Sequence, residues 1–130
     1  MLEKICTDLT TSRKIEKLGI GKETEFYYSL GGTLLHNDLW IPSHSTFAYT
    51  LEQIIDKLPE SIQLDSDSLA IYYFTLEHGE VCYENGRQDH SYDTTHTIER
   101  GTDNLATCAA KLLIRLIEDK IITVEEVNNG

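Results

Sequence analysis

A chain of 130 residues is long enough to bury a core without metal or disulfide staples and short enough to form one domain, residues 1–130. Hydrophobic residues make up 40% and charged residues 25%, the balance of a folded chain and not of a disordered one. Eleven basic residues stand against 22 acidic ones, and the resulting net charge of −11 argues against nucleic acid as a partner.

The first predicted element is a helix over about residues 8–18. Asp8, Thr10 or Ser12 can each cap it, because their side-chain oxygens accept a free N–H of the first turn. Leu9, Ile15 and Leu18 form its inward stripe. Gly19 then takes the left-handed conformation, and Ile20 folds back onto the helix. "ETEFYYSL" reads as a strand, with Phe26, Tyr28 and Leu30 on one face and Tyr27 and Ser29 on the other. Gly31 and Gly32 turn it back into a weakly alternating second strand, "TLLHNDLWI".

"TLEQIIDKLP" carries the clearest local signal. Thr50 and Gln53 form a capping box, and Leu51, Ile54, Ile55 and Leu58 share one helical face. Pro59 ends the helix and disfavours a helical Leu58.

"LAIYYFTLEHGEVCYEN" is a hairpin with a definite register. With His78 and Gly79 in the turn, Leu76 faces Val81, Phe74 faces Tyr83, Thr75 faces Cys82 and Glu77 faces Glu80. Tyr72 then points inward with Phe74, and Tyr73 outward with Ile71 and Thr75.

The last long helix is predicted from Thr102 as its cap, with Asp103 in the first turn. Leu105, Ala109, Leu112, Leu113, Leu116 and Ile117 make its buried face. Asn104, Thr107, Lys111, Arg115 and Glu118 make its wet face. A further Thr-x-x-Glu box at residues 123–126 predicts a final turn of helix. The order is α-β-(β)-α-β-β-α, and the expected fold is α+β, a small antiparallel sheet with helices packed on one face.

Cys6, Cys82 and Cys108 are odd in number and widely spaced, which predicts buried free thiols in a reducing compartment. No apolar run approaches a membrane span, so a cytoplasmic location is expected, in the host cytoplasm for a phage-encoded chain.

Two stretches gather titratable groups. Residues 84–103, "ENGRQDHSYDTTHTIERGTD", hold His90, His96 and several carboxylates, and the loop within them runs for roughly 17 residues without periodicity, a length at which loops are often functional. Their spacing matches no zinc site. "HNDLWIPSHST" sets His36 and Asp38 on the same side of a strand, and Trp40 follows. A metal site, were there one, would use His36, Asp38, His90 and His96. "HST" at 44–46 matches half of a two-histidine phosphoesterase, but neither "HSY" nor "HTI" supplies the second half. No GxSxG, HExxH, Ca²⁺ loop or phosphate-cradling glycine loop occurs.

"FYY" at 26–28, "TLEQIIDKLP" at 50–59 and "AAKLLIRLIEDKIITVEEVN" at 109–128 resemble small uncharacterised proteins of bacteriophages and prophages of gut Bacteroidetes-type bacteria. The resemblance covers roughly a third of the chain. It implies a mobile-element origin and cytoplasmic expression in a host, with no catalytic assignment. No cofactor is expected.

The expectation is therefore a non-catalytic binding protein that engages a host protein through a tyrosine-bearing sheet face, with the 84–103 loop at its rim. The candidate binding residues are Tyr27, Trp40, Tyr73, Arg87, His90, Tyr92, His96 and Arg100. One alternative is a sponge for a nucleotide signal, stacking bases on Tyr27 and Trp40 and holding phosphate with Arg87 and Arg100. Another is a metal-dependent hydrolase. A homo-oligomer would cover the outward strand face with a second copy.

Overall fold

Among the described residues, four helices each begin at a side chain that accepts the hydrogen bond of a free backbone N–H. The computed structural model describes residues 5–20, 24, 26–36, 45–62, 72–77, 80–85, 91–92 and 104–129. Asp8 caps α1 (Leu9–Leu18) through Thr11 N, and Thr50 caps α2 (Leu51–Lys57) through Gln53 N. Asn104 caps α3 (Leu105–Glu118) through Thr107 N, and Thr123 Oγ1 accepts from Glu126 N at the start of α4 (Val124–Asn129). At α2 the box is reciprocal, as expected, since Gln53 Oε1 accepts from Thr50 N at 2.9 Å.

The cap of α3 corrects the sequence reading. Thr102 and Asp103 lie outside the described residues, and the helix starts after Asn104. An amide can accept at one end and donate at the other. Asn104 uses both, capping Thr107 N and donating from Nδ2 to the Cys6 carbonyl at 2.7 Å. Thr107 is also not on a wet face. It is 1% exposed and its hydroxyl accepts from Asp8 N at 3.0 Å.

The strands divide between two antiparallel sheets. The first has the order β2-β1-β3, from β1 (Phe26–Tyr28), β2 (Leu34–His36) and β3 (Thr46–Ala48). The second has the order β4-β5-β6-β7, from β4 (Ser61–Ile62), β5 (Tyr72–Glu77), β6 (Glu80–Asn85) and β7 (Ser91–Tyr92). The β5–β6 register agrees with the predicted one at every pair: Phe74 with Tyr83, Thr75 with Cys82, Leu76 with Val81, Glu77 with Glu80. The turn residues 78–79 lie outside the described residues.

Three strands add to the expected order. β3 and β4 flank α2, and β7 falls inside the stretch read as an aperiodic loop, pairing Ser91 with Glu84 and Tyr92 with Tyr83. Leu30 also departs from expectation. It sits in the β1–β2 turn, 83% exposed, because the chain already bends at Ser29, whose carbonyl accepts from Gly32 N at 2.9 Å. Gly32 takes φ +82 there, a conformation that favours glycine. Tyr27 and Tyr28 are each only 7% exposed, so β1 is covered on both faces.

Helix α3 lies at the centre. Ala106, Cys108, Ala109, Leu112, Leu113, Ile114 and Leu116 are all buried, so it is apolar over most of its circumference, as a helix enclosed on several sides must be. It packs on α2, α1 and β6. Helix α1 in turn packs on β3, joining the first sheet to this core. Among the described residues no helix is long and apolar enough to cross a membrane.

Candidate interaction surface

Alternation along β5 decides what the second sheet presents. Tyr72 and Phe74 pack against the main core, and Phe74 meets Tyr83 edge-on, with ring centroids 5.7 Å apart. Tyr83 is fully buried, and its hydroxyl donates to the Pro59 carbonyl at 2.6 Å. Burial pushes its phenol well above the usual range. Tyr73, between Tyr72 and Phe74, faces the other way and is 53% exposed. Its register neighbours are Ser61 in β4 and Glu84 in β6. The surface is thus a phenol on a sheet face, and it offers area and a hydroxyl for contact.

The other predicted residues do not gather around it. Tyr27 is buried in β1 and offers little ring surface for stacking. His36 is exposed on β2, its ring 4.9 Å from that of its register partner Phe26. Tyr92 lies in β7, opposite Tyr83. Asp38, Trp40, Arg87, His90, His96 and Arg100 fall outside the described residues, as does the "HST" stretch up to His44.

The titratable core groups are structural in their surroundings. Cys6, Cys82 and Cys108 are buried and outside disulfides, as expected. Burial pushes the Cys6 thiol up to about 11, so it stays a protonated, weakly nucleophilic group at neutral pH. Among the described residues no group of three or more His, Cys, Asp or Glu side chains could hold a metal ion.

One concave feature was missed by sequence reasoning. A half-open groove of about 310 Å³ runs between α1 and α3 and brings Lys14 together with Lys111 and Arg115. Each helix alone shows only an ordinary wet face with basic residues at one-turn spacing. Almost a hundred residues separate Lys14 from Lys111, so only the packing of α1 on α3 joins them.

Comparison of the chain with protein-family models, with curated proteins and with solved structures finds no match.

Proposed function

We propose that this chain is a binding protein without catalytic chemistry, and that it engages a protein partner through the Tyr73 face of the second sheet. The observation that carries this reading is the exposure of Tyr73, at 53%, in a strand whose neighbouring aromatics Tyr72 and Phe74 pack into the core. A tyrosine held on a rigid strand offers contact area and a hydroxyl while losing little side-chain entropy on binding. The net charge of −11 selects a partner with a basic contact surface. An arginine or lysine of that partner fits over the phenol ring, where the ring quadrupole attracts it. The phage-protein resemblance of residues 26–28, 50–59 and 109–128 points to a mobile-element accessory protein with a host protein as the partner.

A photo-crosslinking residue placed at Ser61, beside Tyr73, tests this in host lysate. A specific, basic partner is expected to be captured by the otherwise native chain. Tyr73→Asp should abolish that capture while leaving thermal stability unchanged. Equal capture by both variants, or turnover of a substrate by the purified protein, overturns the reading.

A further inference from the structure

The groove between α1 and α3 is cationic on a protein that is otherwise strongly acidic. Lys14 lines it from α1, and Lys111 and Arg115 line it from α3. At physiological salt a charge is screened beyond about 8 Å, so the acidic surface elsewhere on the chain weighs little on a ligand seated here, and the local groups decide. Two carboxylates lie beside the cations. Arg115 Nε donates to Asp119 Oδ2 at 3.3 Å, with both side chains partly exposed, and Glu118 also lines the groove. Exposed ion pairs of this kind contribute only about 0–1 kcal/mol, so an incoming dianion displaces them easily.

A second observation comes from Thr11. It is 2% exposed and lines the same groove, and among the described residues its hydroxyl has no hydrogen-bond partner. A threonine in a helix commonly donates to the carbonyl four residues back. That carbonyl, Thr7 O, already accepts from Tyr28 Oη at 2.9 Å and from Ser12 Oγ at 3.4 Å. A buried hydroxyl left without a partner in a native fold calls for an explanation, and a bound acceptor supplies one.

We infer that the α1–α3 groove is a binding site for a small phosphate monoester. The guanidinium and the ammonium groups meet the dianion, Arg being suited to phosphate by its planar fork. The Thr11 hydroxyl donates to a phosphate oxygen. Ile114, 5% exposed, gives an apolar wall for the carbon skeleton. A volume of about 310 Å³ is at the small end of ligand sites, which fits a compact ester better than a dinucleotide. The site is separate from the Tyr73 face and does not depend on it.

Titration calorimetry and thermal unfolding with glycerol 3-phosphate and with inorganic phosphate, each against sodium chloride of equal ionic strength, test the assignment. Saturable binding of both phosphates is expected, with the ester the tighter. Lys14→Gln together with Lys111→Gln should weaken binding at least about tenfold. Thr11→Val should weaken it while leaving the melting temperature of the free protein unchanged or higher, because it removes an unpaired buried hydroxyl. A response matched by sodium chloride, full binding by the double lysine variant, or binding of inorganic phosphate alone overturns the inference. Tyr73→Asp should bind the ester as the native chain does, so failure here and failure of the protein-contact reading are distinguishable.

Discussion

Thr7 and Tyr49 hold each other through a reciprocal pair of hydrogen bonds. Thr7 N donates to the Tyr49 carbonyl at 2.8 Å, and Tyr49 N donates to Thr7 Oγ1 at 3.1 Å. Both residues are buried, and Thr7 Oγ1 is also bonded to Ser12 Oγ at 2.7 Å. The Thr7 carbonyl accepts the Tyr28 hydroxyl. A single residue thereby ties β1, the end of β3 and the first turn of α1. Such a network stabilises the fold when every member is satisfied, and it is costly when one is removed.

Thr7→Val keeps the shape and deletes the hydroxyl that accepts from the buried Tyr49 N–H. The expected loss is about 2 kcal/mol of unfolding free energy, measured by urea denaturation. Thr7→Ser keeps the hydroxyl and should lose about 1 kcal/mol or less. A Thr7→Val variant as stable as the native chain would mean that the hydroxyl network contributes nothing to stability.

Asn104 gives a sharper test, because general capping rules and this structure disagree about one substitution. Aspartate is as good an N-cap as asparagine and favours the positive end of a helix. Here it would set a carboxylate oxygen against the Cys6 carbonyl, where Asn104 Nδ2 now donates at 2.7 Å. Asn104→Asp is therefore expected to destabilise by about 1–2 kcal/mol. A neutral or stabilising result in thermal unfolding would show that Asn104 acts only as a cap.

The contrast between Asn104 and Gly19 shows how much could be read from the sequence. Signals that complete themselves locally were legible. The Asp8 cap, the Thr50–Gln53 box and the whole β5–β6 register depend on residues within a few positions of each other. So does the end of α1, where Gly19 at φ +84 lets Gly19 N reach Glu16 O and Ile20 N reach Ile15 O. What was not legible depends on distant partners. Thr107 and Asn104 look like wet positions until residues 6–8 pack against them. Strands β3, β4 and β7 are two or three residues long, too short for periodicity to reveal them. The cationic groove has the same character, since its halves lie on helices at opposite ends of the chain.

The end of α3 repeats that of α1 without the glycine. Lys120 N donates to Ile117 O, Ile121 N donates to Leu116 O, and Lys120 takes φ +61. A lysine in this left-handed region carries a steric cost that glycine avoids. Lys120 is exposed, so its side chain is not needed for packing. Lys120→Gly is expected to stabilise by roughly 0.5–1 kcal/mol, read as a rise in melting temperature. A fall would mean that the entropy gained by the unfolded glycine chain exceeds the relief of strain.

Burial of Cys6 predicts a defined loss of stability in alkali. Its thiol is raised from 9.0 to about 11 in the folded protein. Above pH 9 the unfolded chain releases this proton while the folded chain keeps it, so the unfolded state binds fewer protons and stability falls as pH rises. The loss accumulates between pH 9 and 11 and levels off once the folded thiol also ionises. Tyr83 is shifted in the same direction by burial and adds a further decline above pH 10. Unfolding free energies across pH 8–11 should thus slope downward for the native chain. Cys6→Ala should remove the part that begins near pH 9, and Tyr83→Phe the part that begins near pH 10. The two contributions are expected to add, because Cys6 and Tyr83 belong to separate core clusters. An unchanged slope in Cys6→Ala would mean that the thiol gains access to water in the folded state. In that case a thiol reagent would label Cys6 in the native protein as fast as in urea.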